Sequence, residues 1–204
     1  MLRYLQLSGK YSKVRSSRGN IGYVKTNKLS EIQVTREKME EEKISNVNIL
    51  SEYATISSNY EVLNDVQEKS IVLPNLFDVR EADDKYTVKN IIDLSGSKFE
   101  AYKKWAEDSN INICPTITLS TSVNKLCSTY LSRSYIINTL YNTLISNKLS
   151  MICVDFAEVD DAEGFYRFII EMVPRYKAAG IKVLVKNNTN LNISRLNNIA
   201  DYVF

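Results

Sequence analysis

From about residue 47 the chain alternates short, almost unbroken apolar runs with longer stretches in which apolar residues recur every three to four positions. Few folds accept that pattern. The runs predict strands over 47–52, 71–77, 111–118, 151–156, 181–186 and 202–204, with helices between them. The later runs, Met-Ile-Cys-Val and Ile-Lys-Val-Leu-Val, are apolar on both strand faces, as parallel strands covered by helices require. Repeated strand–helix units with right-handed crossovers predict an α/β fold. A (β/α)8 barrel usually takes about 250 residues. About 158 follow residue 46, enough for five to six βα units, so the barrel reading has the chain stop short. A doubly wound open sheet is the alternative that needs no missing piece. No G-x-G-x-x-G or Walker loop follows any strand, so a nucleotide role lacks support.

Two helices are readable in more detail. Tyr135, Ile136, Leu140 and Leu144 set an amphipathic helix over 132–147. Phe165, Phe168, Ile169, Met172 and Tyr176 set another over 161–178, with Asp160 as the expected N-cap, Glu163 at the capping-box position and Gly180 as the terminating glycine. Pro174 inside it is expected to kink it. Residues 83–94 read as an inserted strand or hairpin.

The N-terminal part differs. Residues 1–32 read as short strands, with the arms 11–15 and 21–25 flanking a turn cluster at 16–20 in which Gly19 supplies the permissive backbone. Residues 33–46 hold the charged run Arg36-Glu37-Lys38-Met39-Glu40-Glu41-Glu42-Lys43, read as a linker or solvated helix.

Composition narrows the chemistry. The chain has no histidine, which excludes Ser-His-Asp and Cys-His nucleophile systems and the common histidine-based zinc sites. Cys114, Cys127 and Cys153 show no C-x-x-C spacing, and Cys114 and Cys153 sit in apolar runs as buried thiols. No metal or cofactor is expected. A net charge of +2 gives no case for nucleic acid or an anionic membrane as partner. No run of about 18 apolar residues marks a membrane span, and residues 1–6 lack the features of a signal peptide, so the expectation is a cytoplasmic chain or an N-terminus lying upstream. The thirteen tyrosines fit sugar-stacking surfaces, and they equally fit ordinary strands.

Two segments carry a resemblance. Lys13-Val14-Arg15-Ser16-Ser17-Arg18-Gly19-Asn20-Ile21-Gly22-Tyr23-Val24-Lys25 resembles the second half of a bacterial SH3-like domain, whose pattern is K-V-R-T-x-x-G-x-I-G-Y-V-K. Met151-Ile152-Cys153-Val154-Asp155-Phe156-Ala157, continued by Phe165-Tyr166-Arg167-Phe168-Ile169-Ile170-Glu171-Met172-Val173-Pro174-Arg175, is similar to the fourth strand and following helix of family 18 glycoside hydrolases, D-G-I-N-I-D-F-E and F-I-x-E-L-A-P-R-L. The resemblance implies a partial SH3-like β module over 1–32, a charged linker over 33–46, and over 47–204 a partial (β/α)8 TIM-type barrel, incomplete at its C-terminus, with 200–204 starting its sixth strand. It also accounts for Pro174. The order of parts resembles that of bacterial wall and spore-cortex proteins, which implies a cell-wall, spore or extracellular setting.

The family's mechanism, by the same resemblance, is substrate-assisted: a glutamic acid protonates the glycosidic oxygen, the N-acetyl oxygen attacks the anomeric carbon, and an aspartate two residues earlier stabilises the cyclic ion. Residues two apart on a strand share a face, so Cys153, Asp155 and position 157 are expected to point the same way, at the C-terminal strand end where barrel sites open. Asp155 is the retained motif residue. The acid position is Ala157, and Ser150, Met151 and Cys153 replace other motif residues. Glu158, one residue on, needs a bulge to reach the same face. The expectations are therefore a non-catalytic binder of wall glycan or N-acetylglucosamine polymers with Asp155 and Glu158 as ligand contacts, an active glycosidase using Glu158 or a longer chain, or a degenerate fragment whose open sheet edge promotes self-association. Asp155 as a purely structural group, capping a helix or pairing with a neighbour, remains open at this point.

Overall fold

The computed structural model describes residues 2–8, 10–16, 21–28, 47–57, 60–64, 66–83, 85–187 and 191–204. The chain divides into two compact units, Met1–Glu41 and Glu42–Phe204. The first contains strands β1 (Leu2–Ser8), β2 (Tyr11–Ser16) and β3 (Ile21–Lys25), joined as an antiparallel sheet in that order, and a short 3-10 turn at Thr26–Lys28. The expected arms do pair, with Tyr11 opposite Lys25 and Arg15 opposite Ile21. Gly19 and most of the turn cluster lie outside the described residues, as does the charged run of 33–46.

The second unit is α/β. Its elements are β4 (Asn48–Ile49), β5 (Ser70–Val72), β6 (Asn75–Ala82), β7 (Lys85–Asn90), α1 (Ser97–Asp108), β8 (Asn112–Ile113), β9 (Thr116–Leu119), α2 (Val123–Cys127), α3 (Tyr130–Ser146), β10 (Met151–Val154), α4 (Ala162–Lys177), β11 (Lys182–Val185), α5 (Ile193–Asn197) and β12 (Tyr202–Val203). Two sheets run β4-β5-β8 and β12-β11-β10-β9-β6-β7. All neighbours are parallel except the β6–β7 hairpin, which accounts for the inserted segment expected at 83–94. Asp83 turns that hairpin at a φ of 52°, a conformation a short polar side chain tolerates.

Two expected strands are each split by a proline. Over 71–77 the break falls at Leu73-Pro74, and over 111–118 at Cys114-Pro115. Proline has no N–H for the ladder, so the continuous runs divide into β5 and β6, and into β8 and β9. Pairing still spans both breaks: the Cys114 N–H donates to Val72 O at 2.9 Å and the Thr116 N–H to Pro74 O at 2.8 Å. The expected strand over 47–52 contracts to Asn48–Ile49, because a 3-10 turn at Ser51–Tyr53 takes its second half. That over 151–156 ends at Val154.

Strand alternation separates two apolar clusters. Phe77, Val79, Ile117, Ile152, Val154, Val183 and Val185 pack with the helices. Ile71, Cys114, Met151, Cys153 and Leu184 form a smaller cluster on the other face, extended by Ile49, Leu73, Tyr202 and Phe204. The helix from 132 begins two residues earlier than expected, with Thr129 as N-cap, and its buried stripe is Ile136, Ile137, Leu140, Leu144 and Arg133; Tyr135 is half out in solvent. The next helix is capped by Asp161, not Asp160: the Asp161 carboxylate accepts from the Gly164 N–H at 2.9 Å. The register of the cap moves Glu163 out of the capping-box position, and Glu163 pairs with Arg195 instead. Gly180 does terminate the segment, at a φ of 76°. Pro174 lies inside α4 on its solvent side.

Candidate functional site

Four neighbouring strands set polar side chains at one level, at the C-terminal ends of β9, β10 and β11 and midway along β6. Asp78 on β6 is opposite Thr118 on β9. Ile117 is opposite Val154 and Val154 opposite Val185, so one step on Thr118, Asp155 and Lys186 adjoin. Backbone bonds carry that register past the formal strand ends: Asp155 N–H to Ile117 O at 3.0 Å, and Lys186 N–H to Val154 O at 3.0 Å. Asp155 follows Met151 and Cys153 by alternation and Lys186 follows Leu184, which puts both on the face away from the helices. The next step along β12 is Phe204, whose ring stacks on Tyr202 with centroids 5.8 Å apart.

Each charge in this row is answered. Lys186 Nζ lies 2.9 Å from Asp155 Oδ2, with the Asp155 side chain about four-fifths buried and the lysine more open. Asp78 is buried; its carboxylate accepts from Ser120 Oγ at 2.7 Å and pairs with Arg80 Nε at 2.5 Å. Glu81 lies off this row, on the side of Phe77 and Val79, where it accepts from Thr121 Oγ1 at 2.9 Å and pairs with Lys125 of α2 at 3.5 Å. The row therefore offers hydroxyls, an ammonium, a guanidinium and carboxylate oxygens beside an aromatic pair, donors and acceptors of both kinds at one level.

Ala157 occupies an exposed bend after β10 and brings only a methyl group. Glu158 is exposed in the same loop, and no hydrogen bond or ion pair joins it to Asp155 among the described residues. Other acids nearby serve the scaffold. Asp160 takes Ser122 Oγ and, at 2.9 Å, the Asn124 N–H, and those bonds hold its carboxyl below the usual range. Cys114 and Cys153 are buried as expected. Burial, reinforced by Asp155, pushes the Cys153 thiol up to about 12, and burial raises Cys114 well above the ordinary range. Among the described residues no group of three or more His, Cys, Asp or Glu is placed to hold a metal ion, and no helix is long and apolar enough to cross a membrane.

Sequence reasoning brings Asp155 to this site but not Asp78, Thr118, Ser120 or Lys186. The only signal for them is polarity at the ends of apolar runs, and the register needed to align those ends is not written in any single run.

No family model and no curated protein matches this sequence. Solved structures do match it. The Group IV chitinase of Ostrinia furnacalis superposes with a TM-score of 0.57 at 13% identity, over 77% of this chain and 49% of that one. A class V chitinase from Pseudomonas fluorescens Pf-5 gives 0.55 at 12%, over 65% and 45%. The spore cortex-lytic enzyme SleL of Bacillus megaterium QM B1551 gives 0.52 at 12%, over 65% and 34%. The fold is chitinase-like. The chain spans about a third to a half of the length of these solved structures. Within the chitinase-like fold, Thr118, Asp155 and Lys186 of the polar row lie at the C-terminal ends of parallel strands, the end at which α/β sheets take their ligands.

Proposed function

We propose that the larger unit is a non-catalytic relative of the family 18 glycoside hydrolases that binds N-acetylglucosamine-containing glycan, with cell-wall glycan as its natural form. In this reading β4, β5 with β6, β8 with β9, β10, β11 and β12 are six successive strands of a (β/α)8-type barrel, and the row from Asp78 to Phe204 is its ligand floor. Asp155, Thr118, Ser120 and Lys186 would hydrogen-bond sugar hydroxyl and acetamido groups, and the Tyr202–Phe204 pair would take an apolar sugar face.

The observation that carries the proposal is the Asp155–Lys186 ion pair, 2.9 Å long, with a methyl group at Ala157 in place of a proton donor. Substrate-assisted cleavage needs a carboxylic acid beside the glycosidic oxygen and a carboxylate free to stabilise the cyclic ion. Here the carboxylate is bound to an ammonium, and Glu158 is exposed in the loop that follows β10. General acid catalysis is typically worth about 10²–10⁴-fold.

The test is paired calorimetry and turnover on the full chain. Heat of binding with the N-acetylglucosamine hexamer, without release of chromophore from a chromogenic chitobioside, is the expected result. Turnover that disappears in Glu158→Gln would replace the binder with an active hydrolase. Neither heat nor turnover would leave the site without a sugar role.

A further inference from the structure

The near-neutral total charge averages over two very different parts. Residues 1–30 contain seven Lys and Arg and no Asp or Glu, whereas residues 31–204 contain nineteen Lys and Arg against twenty-four Asp and Glu. Four of these seven, Arg3, Lys13, Arg15 and Lys25, fall in β1–β3, and strand pairing brings two of them to one face. Tyr11 is opposite Lys25 and Lys13 opposite Tyr23. Alternation then places all four on one face, tyrosines on one diagonal and lysines on the other. Ser12 and Val14 take the opposite face and are buried, and Ser12 Oγ is hydrogen-bonded to Thr26 Oγ1 at 3.0 Å. On the Tyr–Lys face the rings stay in water, Tyr11 48% and Tyr23 64% exposed. Beside them Lys10, Tyr11, Lys25, Thr26 and Asn27 line an open depression of about 720 Å³.

No acidic residue lies in 1–30, and the compact unit Met1–Glu41 as a whole holds nine Lys and Arg against four Glu, a basic balance that favours anions. We propose that this face is a second binding site, for an anionic glycan: Tyr11 and Tyr23 stack on sugar rings while Lys10, Lys13 and Lys25 meet carboxylate or phosphate groups on the polymer. Diagonal neighbours on paired strands stand about 7–8 Å apart, wider than the spacing of about 3.4 Å between successive stacked bases along a nucleic-acid strand. Lysines supply point charges that accept any anion geometry, without the planar fork that reads a base edge. The choice of a sugar polymer over other polyanions rests on the glycan reading of the larger unit; the anion site itself does not.

The full chain is titrated with hyaluronan, an alternating polymer of N-acetylglucosamine and glucuronate, with the neutral N-acetylglucosamine hexamer, and with oligothymidylate. Hyaluronan binding is expected to weaken by about tenfold or more as salt rises from about 50 mM to about 500 mM, since exposed charges are then screened over a few ångströms. The double variant Lys13→Gln/Lys25→Gln should lose about tenfold in hyaluronan affinity at low salt, about half of it recovered by restoring either lysine on a logarithmic scale. Hexamer binding should be unmoved in that variant, which also reports that the rest of the chain is intact. Tyr11→Ala/Tyr23→Ala should weaken hyaluronan at both salt levels. Wild-type hyaluronan affinity in the lysine double variant, or oligothymidylate binding as tightly as hyaluronan, would overturn the proposal. Hyaluronan binding that depends on the lysines, in a chain that ignores the hexamer, upholds this site and refutes the reading of the larger one.

Discussion

Cys153 lies on β10 and precedes by two residues Asp155, just past the strand end; by alternation both take the face away from the helices, the first fully buried and the second about four-fifths buried. Burial sets the chemistry of the thiol. Cys127 is likewise pushed up to about 12 by burial, against an ordinary thiol value of 9.0, and Cys114 is raised as well. The folded chain thus keeps protons that the unfolded chain has released. The unfolded state binds fewer protons above the ordinary thiol range, so stability is unaffected by these groups below about pH 8 and falls as pH climbs from about 9 toward 12, by up to about 1.4 kcal/mol per pH unit for each ionised thiol. Urea midpoints measured from neutral to alkaline pH should show that fall. A thiol reagent at mildly alkaline pH should label none of the three cysteines in the native chain and all of them in denaturant; rapid native labelling of Cys153 would contradict its burial. At this scale the sequence is informative where chemistry and position coincide along one run: Asp155, at the end of Met-Ile-Cys-Val, is recognisable as a candidate site residue. Asp78 and Lys186 are not, because what makes them neighbours of the site is the pairing of β6, β9, β10 and β11, and a one-residue slip in any of those pairings would send their side chains to the other face.

The helices are tied by a few buried polar contacts as well as by apolar packing. Arg133 on α3 is buried; Nη1 donates to Cys127 O at the end of α2 at 2.6 Å, and Nε and Nη2 reach the two Glu171 oxygens on α4 at 2.9 and 2.8 Å. One guanidinium thereby joins three helices, with a planar fork that lysine cannot reproduce. Arg133→Ala strands a carbonyl and a carboxylate, and because Glu171 is partly open to water the cost should be about 2–4 kcal/mol, toward the lower end for breaking a buried pair. Arg133→Lys should recover less than half of it. Urea denaturation of the two variants measures both; a loss below about 1 kcal/mol in the alanine variant would mean that the helices are held by packing alone. A buried arginine in an apolar stripe is not announced by periodicity, which sees only that position 133 belongs to the same face as Ile136, Ile137 and Leu140. The shift of the α4 cap from Asp160 to Asp161 has a similar origin. Both aspartates suit an N-cap, and the competition is decided by α2, whose first turn takes the Asp160 carboxylate through Ser122 and the Asn124 N–H. Gly164 fixes the choice sterically: a side chain there would collide with the Asp161 carboxylate and come within 2.8 Å of Cys127 Cβ. The strand breaks at Pro74 and Pro115, by contrast, follow from the residues themselves, since a proline inside an apolar run is visible in the sequence.

At the scale of the whole chain, the parallel order of the strands leaves two differently built edges in the larger sheet. One is β7, whose residues Lys85 and Lys89 put charge along the edge, a common safeguard against pairing with another chain. The other is β12, which runs Tyr202-Val203-Phe204, half-buried and without a charged side chain, and which pairs with β11 alone among the described residues. Its two rings belong to the apolar cluster on the face away from the helices, so a second copy meeting this edge would extend both the ladder and the cluster. The expected result for the 204-residue chain is therefore concentration-dependent association through β12 and not through β7, seen in sedimentation as a shift from monomer toward dimer. Val203→Lys places at this edge the charge that β7 already has and should return the chain to monomer, while neutralising Lys85 and Lys89 should leave the equilibrium with β12 as its main contact. Salt separates this contact from the charged face of the first unit: association driven by apolar burial holds or strengthens as ions screen repulsion between copies, whereas capture of an anionic glycan by the Tyr–Lys face weakens. A chain that stays monomeric at all concentrations, or a dimer untouched by Val203→Lys, would show that the short β12 strand is too small a template for pairing and that its rings are left for a ligand instead.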